Sequence, residues 1–363
     1  MSIEIPPNDP DFPAACSAIP TRRSMAVGGS GAGDPLEQIN AITPFLDGSG
    51  VYGSDAHRAE ALRSFQHGKL KTSSDGQLLP FNDGSLNNEG GQGGDLFVAG
   101  DVRVNEQVGL TAMHTLFVRE HNRLCDVIQA KYFPDAADSC DASCDENIYQ
   151  LARRIVSATI QKITYEEFLP TLLGAGNAPS YSNGGYDGRD ASIRNEFSTA
   201  AFRFGHSMVS PNLRQGLQLR NAFFQPGMFA NNPALVDDLL LSLVNSRARE
   251  IDTCVTEELR SFLFNQPDTD VCLDLVALNI QRGRDHGIPP CNVVRQEMGL
   301  APHATFASIT TNGNLAQKLS EAYGGDVNMV DAWVCGLAED HVPGGSLGEL
   351  NTAVIKFQFE QLM

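Results

Sequence analysis

A chain of 363 residues that is 42% hydrophobic and 19% charged can bury a sizeable core, which excludes a disordered or collagen-like protein. Its 26 basic against 44 acidic side chains leave a formal charge of −18, which repels nucleic acid and anionic membrane. No run approaches a membrane span, the opening MSIEIPPNDP lacks the basic and apolar regions of a signal peptide, and no Asn stands two residues before a Ser or Thr as an N-glycosylation acceptor. In chain order, the Gly-rich stretches 26–34 and 87–94, the acidic insert 134–147 and the Gly/Ser/Asn/Tyr run 173–190 read as loops. Between them the apolar spacing is helical over 110–128, 148–169 and 234–247, and strand-like alternation is scarce. The expectation is one mainly α domain with long loops and little β. No strand leads into Gly29-Ser30-Gly31 and no Gly cluster runs into a phosphate-binding Lys, so nucleotide-binding readings fail. Eight cysteines are too few to build a disulfide scaffold. Cys140 and Cys144 suit a small loop disulfide, and Cys254 with Cys272 is a candidate local bridge.

Three stretches carry chemistry. GDVRVNEQVGLTAMHTLFVREHNRL sets Arg103 and Glu106 three residues apart, on one face if the segment is a helical turn; read alone, they make a surface ion pair. FSTAAFRFGHSMVSP reads as one helix with Phe197, Ala201, Phe204 and Met208 on one face, and Phe202, Arg203 and His206 on the other, both faces buried. An apolar wall with arginine at its edge suits a planar anionic ligand. LDLVALNIQRGRDHGIPP brings Asn279, Arg282, Arg284, Asp285 and His286 to the end of a helix, where the plain alternative is a C-terminal charge cluster capped by Gly287.

Together with IPPNDP, AITPFLDGSGVYGSD, ITYEEFLP and WVCGLAEDHVPGG, which follow in the same order, these stretches resemble the animal haem peroxidase superfamily (the peroxidase-cyclooxygenase group), with wording similar to peroxidasin-like members. The resemblance implies a helical peroxidase domain over 1–363 with haem b and calcium as cofactors. It implies hydrogen peroxide as oxidant, a halide or phenolic donor, and a ferryl haem intermediate. His206 would be the iron ligand, Asn279 would accept the other ring N–H, and Arg203 and Arg282 would hold the propionates. Arg103 would polarise peroxide and Glu106 would form an ester with the haem. Gln107 stands where some members carry a haem-linked methionine, so bromide, iodide, thiocyanate or phenols would be easier donors than chloride. Thr43, Phe45, Asp47 and Ser49 match the family's calcium loop; without the family, they make a turn.

The family's distal histidine lies upstream of the IPPNDP segment. The expectation is therefore a partial domain, truncated at both ends, that is weakly active on its own. The alternative is a non-catalytic haem-binding or extracellular structural module, and a weaker one is a calcium-binding adhesion module without haem. Secretion is implied by relatives alone. His57, His67, His303 and His341 read as surface or loop residues, His114 and His121 lie within a helix, and His286 reads as a buttress of the arginine cluster.

Overall fold

The computed structural model describes residues 2–10, 12, 16–27, 36–134, 140–179, 188–261, 263–264 and 272–363. Gly29-Ser30-Gly31 and most of the Gly-rich stretch, 135–139 of the acidic insert and 180–187 of the Gly/Ser/Asn/Tyr run lie outside these. Helix makes up 47% of the chain and strand 8%, in agreement with a mainly α fold. The named strands are three short antiparallel pairs, Ser2–Glu4 with Ala18–Pro20, Ala26–Val27 with Glu37–Gln38, and Asn212–Arg214 with Leu217–Gln218. The chain divides into two compact units, one of residues 45–163 and 212–247, the other of 1–44, 164–211 and 248–363.

The first unit is organised around the Val108–Tyr132 helix, longer at both ends than its apolar spacing indicates. Gln107 starts it by accepting the Gly109 N–H on its side chain at 2.6 Å, which satisfies one of the orphan donors of the first turn. Val108, Ala112, Thr115, Val118, His121, Cys125 and Ile128 recur at helical spacing and are buried against the Ala142–Ile163 and Leu235–Asn245 helices. Within that core His121 is fully enclosed: its Nε2–H donates to Gly68 O and its Nδ1 accepts from Tyr52 O–H, each at 2.9 Å. His114 lies near the helix start and bonds Gly50 O at 2.9 Å. Both act as core struts.

The continuous helix expected over 148–169 is not formed. It ends at Ile163, passes through a π-helical turn, Thr164–Phe168, and resumes as Leu169–Leu173. Pro170 explains the change of register: its nitrogen donates no hydrogen bond, and its ring would clash with a regular preceding turn.

In the second unit the Leu275–Asp285, Cys291–Glu297, Ala332–Ala338 and Glu349–Gln361 helices form the framework. The Ser2–Glu4 and Ala18–Pro20 pair packs Ile5 and Ile19 against Cys272, and a Cys16–Cys272 disulfide fastens it there. That corrects the Cys254–Cys272 expectation, since Cys254 is free and exposed. The true partner lies 256 positions away, beyond the reach of a local spacing argument. The Cys140–Cys144 bridge is formed, and a third, Cys291–Cys335, joins two helices.

Candidate functional site

The FSTAAFRFGH segment breaks where one helix was expected. Asn195–Thr199 is α-helical, the chain turns at Ala200, and Ala201–His206 is a 3-10 helix. With three residues per turn, positions i and i+3 eclipse, so Arg203 and His206 line up on one edge and reach the same partner. That partner is Asn279, fully buried on the Leu275–Asp285 helix, whose first turn is capped by Asp274 accepting from Val276 N and Ala277 N at 2.7 and 3.1 Å. Phe197, Ala201 and Phe204 are buried as expected. The opposite face is not: Phe202 is 39% exposed, stacked on Phe197, and Arg203 and His206 are half-buried.

Arg203 Nη1 donates to Asn279 Oδ1 at 2.8 Å, and Asn279 Nδ2 meets His206 Nδ1 at 2.7 Å. A guanidinium only donates, so it claims the amide oxygen and leaves the NH2 for the ring. His206 Nδ1 is then an acceptor and its proton sits on Nε2, the reverse of the bond expected from Asn279. Burial, with the charge of Arg203 adding, pushes the His206 pKa down to about 4, so the imidazole is neutral. His206 Nε2 has no partner among the described residues.

Arg203 also has no carboxylate partner among the described residues; its Nε donates to Ser198 O at 3.3 Å, and burial beside Arg282 lowers its pKa. Arg282 is more committed, with Nη1 shared among Arg22 O, Ser24 Oγ and Asp285. Arg284 pairs with Asp331 through two bonds. His286 holds Ser24 Oγ at 2.6 Å on one ring nitrogen and Asn195 and Thr199 on the other, so its ring braces the Asn195–Thr199 helix and is linked to the Arg282 guanidinium through Ser24, while its backbone N–H donates to Arg282 O at 3.0 Å.

In the other unit, residues 101–106 are turns ahead of the long helix, with Glu106 N donating to Arg103 O at 2.8 Å. Arg103 does not pair with Glu106. Its Nε and Nη2 grip Asp101 at 3.0 and 2.6 Å, a partner that the GDVR motif itself supplies two residues earlier. Asn105 pins this loop by exchanging both side-chain bonds with the Phe97 backbone, and Gly100 lies so close to Ser49 O that a Cβ would clash. The Glu106 carboxyl has no partner among the described residues. Burial, with Glu89 and Asp101 adding and Arg103 opposing, raises its pKa.

In the proposed calcium loop, Asp47 Oδ1 accepts from Ser49 N at 2.9 Å and Asp47 O accepts from Ser157 Oγ at 2.8 Å. Ser49 opens a short helix, Phe45 is exposed, and Thr43 belongs to the other unit. Asp47 supplies the one carboxylate of this turn, and oxygens of Thr43, Phe45 and Ser49 would have to join it to approach the six to eight that calcium takes. Of the other histidines, His57 is exposed and His341 bonds Ile251 O at 2.8 Å. His303 is no surface residue: its side chain is 9% exposed and lies 3.0 Å from Glu339.

The architecture is the helical peroxidase fold. Peroxidase A from Dictyostelium discoideum superposes with a TM-score of 0.86 at 34% identity, covering 100% of this chain and 73% of that structure. The chain belongs to the animal haem peroxidase family, whose profile matches residues 1–363. Peroxinectin A of Dictyostelium discoideum is 37% identical over 343 residues, 90% of this chain and 61% of the relative. The human peroxidasin homolog is 37% identical over 398 residues, 100% of this chain and 26% of the relative. The chain thus spans less than two thirds of these curated relatives' length.

Proposed function

We propose that this protein is a hydrogen peroxide-dependent haem peroxidase acting on halide or phenolic donors, with residues 1–363 as one peroxidase domain. The observation that carries the reading is the buried Asn279 holding a neutral His206 whose Nε2 is unengaged, beside an Arg203 that lacks a carboxylate. A neutral imidazole whose proton moves from Nε2 to Nδ1 frees Nε2 as an iron ligand, and a half-buried guanidinium without a carboxylate seeks an anion such as a propionate.

When bound, haem supplies the redox chemistry, taking electrons from donors and passing them to peroxide. His206 would hold the iron through Nε2 once its proton has moved to Nδ1, and Asn279 would orient the ring. Arg203 and Arg282 would neutralise the propionates. Glu106, a half-buried carboxyl with no hydrogen-bond partner among the described residues, would suit the ester link. Asp101 holds the Arg103 fork in plane and leaves Nη1 to stabilise negative charge on peroxide. The calcium loop has no part in this reading. The three disulfides support an extracellular location, and the charge of −18 argues against nucleic acid as a partner.

A second reading, a haem-binding module without peroxide turnover, is favoured by one observation: His114 and His121, in the unit that carries Arg103, both spend ring nitrogens on backbone carbonyls. Haemin titration separates the two. A Soret band lost in His206→Ala, with guaiacol or bromide oxidised by peroxide, supports the enzyme. A Soret band without turnover selects the binding module, and failure of His206→Ala to alter the band removes both.

A further inference from the structure

Cys291 opens the Cys291–Glu297 helix, Cys335 lies in the Ala332–Ala338 helix, and the sulfurs that join them are enclosed, with 1% and 0% of the two residues exposed. His303 and Glu339 come to the same place. One nitrogen of His303, one carboxylate oxygen of Glu339 and both sulfurs all lie within 4.8 Å of one another. The site is built. Asn292, on the helix of Cys291, takes the His303 N–H at 2.7 Å and donates to His303 O at 3.0 Å, which staples the histidine loop to that helix. Glu339 follows the helix of Cys335, its N–H donating to Cys335 O at 3.0 Å, and its Oε2 accepts from Leu350 N at 2.7 Å. Its Oε1 faces His303 Nε2 and Arg295, and Arg295 also reaches Glu349 at the surface.

Two cysteines, an imidazole and a carboxylate are zinc ligands. Tetrahedral zinc, with bonds of about 2.0–2.3 Å, sets its ligand atoms roughly 3.3–3.8 Å apart; the four atoms lie within 4.8 Å of one another, and the two bonded sulfurs would move apart on reduction. We infer that Cys291, Cys335, His303 and Glu339 form a redox-gated zinc site, closed while the disulfide stands and open to one Zn2+ once it is reduced.

A dithiol reductant passes two electrons and two protons to the S–S bond, which breaks to two thiols as the reductant closes to its own disulfide. Zn2+ then displaces both thiol protons to solvent and forms two Zn–S bonds, while the His303 proton that faces Glu339 shifts to Nδ1, so that Nε2 and the Glu339 oxygen complete the tetrahedron. Hydrogen peroxide reverses the change: the two thiolates lose two electrons and reform the S–S bond, Zn2+ leaves, and peroxide with two protons becomes two waters. Charge favours the metal in the reduced state. Two thiolates add two negative charges to an interior that already holds Glu339, and one divalent cation cancels both. Arg295 stays matched to Glu339 and Glu349 in either state.

The test uses the full chain in disulfide and dithiol-reduced states, with thiols counted, dialysed with Zn2+ and assayed for metal. The expected result is one Zn2+ per reduced chain, none in the disulfide form, release on adding peroxide, and at least a tenfold loss of affinity in both His303→Ala and Glu339→Gln. Cobalt substitution gives a second readout, a thiolate charge-transfer band that Cys291→Ser weakens. The inference is overturned by a folded reduced chain that holds no zinc, by equal zinc in the disulfide form, or by His303→Ala and Glu339→Gln that fold and bind normally. A Cys291–Cys335 bond that resists the reductant in the folded chain overturns it too.

Discussion

Asn279 offers its amide NH2 to Nδ1 of His206 across 2.7 Å, and does so because Arg203 already occupies its oxygen. One buried amide therefore serves two cationic-type side chains from a single 3-10 edge. Asn279→Leu strips both of a partner inside the protein, where each unsatisfied polar group costs about 1–3 kcal/mol. Urea unfolding should show a loss of roughly that size in apo protein. A variant as stable as the parent would mean that the amide is not a structural link.

Arg203 sets the polarity of the amide. Replacing it with Met should let Asn279 rotate and accept the ring N–H, moving the His206 proton from Nε2 to Nδ1. Nitrogen NMR of the histidine ring reads the tautomer directly, without haem. Finding the proton on the same nitrogen in parent and variant refutes this control. If it holds, an anion that draws Arg203 away prepares His206 Nε2 as a metal ligand.

His121 predicts acid lability in the unit of the long helix. Burial, partly opposed by the Gly68 hydrogen bond and aided by Arg63, pushes its pKa down to about 4 from an ordinary value of about 6.5. Between those values the unfolded chain takes up a proton that the native state refuses, so stability falls as pH drops from 6.5 to 4 and is fully present above 6.5. The contribution is about 3 kcal/mol, and His114, also lowered chiefly by burial, acts in the same direction. The check is the unfolding free energy against pH alongside a ring titration of His121. A ring that titrates near 6.5 in the folded protein refutes it.

Asp47 is already engaged by Ser49, and Asp47 O by Ser157. Millimolar calcium should leave the melting temperature of this chain within about one degree. Since a ligand at a hundredfold excess over its Kd adds about 2.7 kcal/mol, a rise of several degrees that saturates would show that the turn does bind the ion.

The features legible in the sequence were those carried by local periodicity or by contiguous motif. The stripe from Val108 to Ile128 announces its helix because every third or fourth side chain faces one core, and Cys140 with Cys144 lie close enough in the chain to meet. His206, Asn279 and Arg203 were singled out by motif, and they do come together. What escaped depends on contacts between distant segments or on small changes of pitch. Nothing in FRFGH marks a 3-10 turn rather than an α turn, yet that pitch is what aligns Arg203 with His206. His303 looked like a loop residue because the wall around it comes from Glu339 and from two cysteines whose pairing spans 44 positions. Asp101 was visible two residues before Arg103, but a longer-range partner, Glu106, fitted the assumed helix better.

The bridge between Cys16 and Cys272 also governs how the molecule would respond to cutting. Scission anywhere from position 17 to 271 yields two polypeptides that still travel together until the sulfur link is broken. In the chain-entropy picture, a ring of that size restricts the denatured state by about 5 kcal/mol. A protease that clips a loop inside the ring would therefore change the number of chain ends without releasing a fragment, and only a reducing gel would show it.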